Sequence, residues 1–130
     1  MGRKFIDELG IKHEKTPQGW ANHDLIRRRK WEIQREKWGF DERETWDLSY
    51  SFILWLYERL KVYNEINIVD TEAVSYVFKG KIITFQECIE RMLKGCEIYL
   101  TKDTYRTEED IKKIDETLKL FTLCFYDLWW

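Results

Sequence analysis

Apolar and polar positions recur along this chain with two periods, and the helical one dominates. Phe85, Ile89, Met92, Leu93, Cys96 and Leu100 follow one another at three and four residues, as do Ile111, Ile114, Leu118, Phe121, Phe125 and Leu128. That spacing places each set along one stripe of a helix. Thr84 with Glu87 opens the first set, and Thr107 followed by Glu108, Glu109 and Asp110 opens the second, the pattern of capped helix starts. The spacing predicts helices over 84–101 and 108–130, with Trp129 and Trp130 on or just past the final turn.

Further upstream, Asp41 with Glu44 three residues later reads as a capping box opening a helix over 41–64. Tyr50, Ile53, Tyr57 and Leu60 lie on one of its sides and Phe52, Trp55, Leu56 and Tyr63 on another, so the pattern predicts the central, most buried element. Asn22 as N-cap, Asp24 in the first turn and Gly39 as stop delimit a helix over 22–38. Its apolar residues Leu25, Ile26, Trp31, Ile33 and Trp38 are sparse, which predicts a solvated helix or one awaiting a partner. Residues 1–21, with a small apolar patch from Phe5 to Ile11 and the breaker Thr16-Pro17-Gln18-Gly19, read as an N-terminal arm. The second period appears once. Val74 to Phe78, then Lys79-Gly80, then Lys81 to Thr84 alternate about a turn and predict a short β-hairpin near 74–84, with a helix from Ala73 as the competing reading. The expectation is a single domain over 1–130, mainly α, a compact bundle of about four helices with that hairpin inserted.

Composition agrees: one proline and six glycines in 130 residues leave room for long elements rather than many turns. Charge adds an asymmetry. Residues 1–39 sum to +4 and residues 40–130 to −6, a basic segment on an acidic body, unlike a wholly basic nucleic-acid binder or an acidic mimic of DNA. The longest apolar run, Phe52 to Tyr57, is far too short to span a membrane. Three cysteines, Cys88, Cys96 and Cys124, form no disulfide framework, and no secretory signal precedes them. A cytoplasmic location with core thiols is expected.

The chemistry-bearing patterns are mostly negative. His13 and His23 are the only histidines and no cysteines have zinc spacing, so neither metal nor cofactor is expected. Glu87 with Glu90 and Glu108 with Asp110 are paired acids that nothing sets apart for general acid–base work, and no nucleophile elbow or phosphate loop is present. Lys79-Gly80-Lys81 reads as a turn, not a phosphate cradle. The chain reads as a non-enzyme.

Three segments invite a ligand. Arg27, Arg28, Arg29, Lys30, Arg35 and Lys37 could meet phosphates while Trp31 and Trp38 offer stacking faces, although Glu32 and Glu36 are interleaved and a solvated face is the other reading. Arg43 beside Trp46 and Tyr50 could clamp a planar anion or a partner carboxylate, since capping at Asp41 does not require an arginine. Trp129 and Trp130 are adjacent and cannot both face inward, so one of them meets the arm, a second copy of the chain or a ligand.

The segment Gly39-Phe40-Asp41-x-Arg43-x-x-Trp46-x-Leu48-x-Tyr50, leading into Trp55-Leu56-Tyr57-x-x-Leu60, resembles a family of small phage and prophage proteins of unassigned function. The similarity runs on through Phe78-Lys79-Gly80-Lys81, Thr84 and the closing Trp129-Trp130, and so covers residues 38–130. Where the family pattern has an acid, this chain has Ser49. The resemblance implies a phage context in a bacterial host cell. The reading it favours is a non-enzymatic counter-defence protein that sequesters a nucleotide-like signal or blocks a host defence protein. The alternatives are an accessory protein for single-stranded nucleic acid and a structural phage component.

Overall fold

A computed structural model describes residues 25–102 and 104–130. The arm over 1–21, the Asn22 cap and both histidines lie outside the described residues. The remainder is a mainly α bundle with one small antiparallel hairpin.

Helix α1, Leu25–Trp38, stops where predicted. Gly39 takes φ +83° and its N–H donates to the Arg35 carbonyl at 2.9 Å, the left-handed exit that glycine makes without steric cost. The predicted helix over 41–64 is divided instead. The Asp41–Glu44 capping box is present, but it closes a single 3-10 turn, Glu42–Thr45. Asp47 then caps a second start: its Oδ1 accepts the Tyr50 N–H at 3.0 Å, and α2 runs Leu48–Ile66. Two capping residues six positions apart each claim a helix start, and the interval holds no more than a turn. Asn67 ends α2 by folding back, its amide donating to the Tyr63 carbonyl at 2.8 Å while Oδ1 accepts from the Val69 N–H at 3.1 Å.

Strands β1, Ser75–Phe78, and β2, Lys81–Thr84, pair with Tyr76 opposite Ile83 and Val77 opposite Ile82. Positive φ at Lys79 (52°) and Gly80 (77°) gives the two-residue turn whose twist suits a hairpin. Tyr76 and Ile83 face the bundle, whereas Val77 and Ile82 face outward. Helix α3, Phe85–Thr101, starts at Thr84, whose Oγ accepts the Glu87 N–H at 3.1 Å. Its predicted stripe is buried throughout, and α3, not α2, is the most enclosed helix: Phe52 and Trp55 of α2 remain open to solvent.

Helix α4, Glu108–Cys124, carries the expected Thr107 capping box but is shorter than the predicted 108–130, ending in a 3-10 turn, Phe125–Asp127. Its buried face also differs. Asp110, Thr117, Leu120 and Cys124 turn inward, while Ile111, Leu118 and Phe125 of the predicted stripe are exposed. The reason is the closeness of α3 and α4. A Cβ placed on Gly95 would lie 1.8 Å from Thr117 Oγ1 and 2.8 Å from the Lys113 carbonyl, so α4 must present its small side chains at this crossing, and the large ones flank it. The core then gathers around Tyr57, Phe85, Ile89, Met92 and Leu120. The three cysteines are buried and free in this core, and burial raises their thiols to about 11 for Cys88 and about 12 for Cys96 and Cys124.

Candidate functional site

The Arg43 segment folds into an internal polar knot. Asp41 is fully buried. Its carboxylate accepts from Arg35 Nε at 2.7 Å, from the Arg43 N–H at 2.9 Å, and from Arg43 Nε and Nη2 at 3.0 Å each. Burial alone would raise the Asp41 pKa, but the side-chain and backbone hydrogen bonds from Arg43, with the charges of Arg35 and Arg43, outweigh it and hold the carboxyl below its ordinary range. The Arg43 guanidinium also lies 4.0 Å from the centre of the Trp31 ring. Trp31 Nε1 donates to Glu42 Oε1 at 3.1 Å, and the Glu42 N–H donates to Gln34 Oε1 at 2.8 Å. Among the described residues no buried side-chain nitrogen or oxygen lacks a partner.

This arrangement corrects two sequence expectations. Only 11% of the Arg43 side chain is exposed, so the clamp foreseen for an external anion closes on Asp41 and Trp31 instead. Trp31, at 2% exposure, is no stacking face for nucleic acid. Arg27, Arg28, Arg29 and Lys30 stay at the surface, but Arg29 pairs with Glu32 at 3.3 Å and Lys30 with Glu42 at 3.0 Å. Trp46 remains 58% exposed, its ring edge-on to Trp31, while Tyr50 is half-buried beside Tyr99. The predicted Arg43, Trp46 and Tyr50 therefore do not form one outward-facing cluster.

A second surface gathers aromatics that lie far apart in sequence. Trp55 stacks on Phe52, Phe52 meets Phe121 edge-on, Phe121 meets Phe125, and Phe125 meets Tyr126, with ring centres 5.5 to 6.2 Å apart at each step. Arg59 lies over Trp55 at 4.8 Å. Beside this band runs an apolar groove of about 330 Å³ between α2, α4 and Leu128. The Tyr63 hydroxyl donates to the Trp129 carbonyl at 3.1 Å, and Tyr76 donates to the Asp127 carboxylate. The backbone after α4 is held by these two tyrosines, while the Trp129 and Trp130 rings face outward and Tyr126 is 88% exposed. Sequence reasoning found Trp129 and Trp130 but assigned Phe52 and Trp55 wholly to the core, because an α2 stripe apolar on all sides gave no sign of which flank stays open.

The third surface is a cationic cleft of about 370 Å³ between the hairpin, α3 and α4. Lys79, Lys81, Arg91, Lys94, Lys112 and Lys113 line it against two carboxylates, Glu109 and Glu116, above an apolar floor that includes Ile83 and Leu120. Glu116 accepts from Lys79 Nζ at 2.6 Å. That bond, opposed by desolvation and helped by the charges of Lys79, Lys112 and Arg91, holds Glu116 below its ordinary pKa. Lys79-Gly80-Lys81 is a turn, as predicted, but one that delivers two of the six cations. Because those cations come from three elements of a net acidic segment, no run of basic residues announced them.

Among the described residues, no group of three or more His, Cys, Asp or Glu side chains is placed to hold a metal ion, and no helix is long and apolar enough to cross a membrane. No protein-family model, curated protein or solved structure matches the chain.

Proposed function

We propose that this chain is a phage-encoded, non-enzymatic counter-defence protein that blocks a host defence protein through the aromatic band of α2 and α4. One observation carries the reading: exposed Trp55, Phe125 and Tyr126 are joined ring to ring through Phe52 and Phe121 into one continuous band with Arg59 over Trp55, and the exposed Trp129 and Trp130 follow it in the chain. Large contiguous apolar surface of this kind marks interaction sites, and Trp, Tyr and Arg are the residues on which protein–protein binding energy concentrates. Anchoring by Tyr63 and Tyr76 lowers the ordering cost of using the residues after α4. The resemblance to small phage proteins, which includes the closing tryptophan pair, supplies the biological setting. The nucleic-acid alternative draws less support, because Trp31 is enclosed and Arg35 is committed to Asp41.

The test is co-purification of tagged protein from infected host cells, in parallel with variants Tyr126→Ala/Trp129→Ala and Trp55→Ala, each checked for unchanged helicity. A host protein retained by the native chain and by Arg28→Ala, but lost with both band variants, is the expected result. Retention by both variants would refute the reading, as would native self-association that the band variants abolish while no host protein is captured.

A further inference from the structure

We infer that the cleft between the hairpin, α3 and α4 is a binding site for a small nucleoside polyphosphate, a ligand pairing a compact polyanion with a planar apolar part. This site lies apart from the aromatic band and does not rest on the function proposed above. Six cations against two carboxylates give the cleft a formal surplus of four positive charges, whereas the whole chain carries −2, leaving −6 outside it. Positive charge concentrated in a cleft with low-dielectric walls focuses an anion there.

Most of these cations are uncommitted. Lys79 is bridged to Glu116, and Arg91 reaches Glu87 only at 3.8 Å. Lys81, Lys94, Lys112 and Lys113 have no ion-pair partner within 4.0 Å among the described residues. Among the described residues, an anion entering the cleft therefore has no carboxylate within ion-pair distance of these four ammonium groups to displace. The apolar part of the lining supplies a second recognition element: beside the buried Ile83 and Leu120, Phe78 keeps part of its ring open, with the Lys79 ammonium 5.4 Å from the ring centre.

Size and surroundings select a small ligand over a strand. A volume of about 370 Å³ lies in the range of small-molecule sites, whereas single-strand binders run a positive groove along several nucleotides with a series of stacking aromatics. Here the six cations are gathered in one cleft between three elements, and the rest of the sequence sums to −6.

The experiment is isothermal titration at low and moderate salt with three probes: adenosine triphosphate, inorganic tripolyphosphate and oligothymidylate. Adenosine triphosphate is expected to bind most tightly, and to weaken about tenfold or more in Lys94→Glu/Lys113→Glu. Glu116→Gln is expected to tighten binding several-fold by removing the competing carboxylate from Lys79, a gain that no loss of folding can imitate. No heat with adenosine triphosphate at millimolar concentration would overturn the inference. Tripolyphosphate binding as tightly would overturn the role of the apolar floor, and preferred binding of oligothymidylate would reassign the cleft to single-stranded nucleic acid. Tyr126→Ala/Trp129→Ala should leave the titration unchanged, so the cleft and the band stand or fall separately.

Discussion

Replacing Asp41 should release α1 from the protein without melting the bundle. The carboxylate is enclosed and accepts four hydrogen bonds, three of them from guanidinium nitrogens of Arg35 and Arg43. Removing one partner of a buried ion pair costs about 3–5 kcal/mol. Arg35 keeps 24% of its side chain in water and Arg43 11%, so rehydration recovers part of this and about 3 kcal/mol is expected for Asp41→Ala. Asp41→Asn retains a good N-cap, worth about 1 kcal/mol, and should lose about 2. The loss should be local, because Trp31 is buried outside the cluster that forms the main core and the knot is its anchor. Native-state hydrogen exchange reads this directly. Amides of α1 and of the Glu42–Thr45 turn should exchange about a hundredfold faster in Asp41→Ala, since 1.4 kcal/mol is a factor of ten, while α3 and α4 change little. Unchanged α1 protection, or an equal loss across α1 to α4, would refute the reasoning.

Acid should act on the same knot: with the Asp41 pKa held below 3.8, its contribution is complete above the unfolded value and disappears as pH falls through the lower folded one. Protection of the α1 amides, corrected for the intrinsic exchange rate, should therefore fall as pH drops below about 4, and should change less in Asp41→Asn. Gly95→Ala should destabilise by about 1–3 kcal/mol in urea denaturation despite the roughly 1 kcal/mol that alanine gains in helix propensity, because its methyl group meets Thr117 Oγ1 and the Lys113 carbonyl; a more stable variant would show that α4 is free to move away. Cys88, Cys96 and Cys124, buried and with raised pKa values, should resist a thiol reagent near pH 8 in the native protein and react fully in denaturant; rapid reaction of any one would place it at the surface.

Much of this fold was legible because local signals and packing agreed. Gly39, the Lys79-Gly80 turn, Thr84 and Thr107 are punctuation that depends on neighbouring residues, and each terminates or opens an element as read. The errors arose where a distant neighbour decided. The face of α4 is set by the absence of a side chain at Gly95 on another helix, which no periodicity within α4 reveals. The role of Arg43 is set by Trp31 and Arg35 across the Gly39 turn. The cationic cleft is assembled from residues as far apart as Lys79 and Glu116, so the net charge of the segment concealed it.

Helix α4 is a party wall. Lys112, Lys113 and Glu116 face the cleft on one flank, and Phe121 with Phe125 borders the aromatic groove on the other. Coupling between two sites requires an intervening element with two arrangements that both sites bias. The close crossing of Gly95 and Thr117 leaves α4 no room to approach α3 further, which removes one route by which an anion in the cleft would shift the groove. The two surfaces should be thermodynamically independent: affinity at one, measured with the other saturated, equals affinity at the first alone. A chain of this size would then carry two separate recognition events on opposite flanks of one helix.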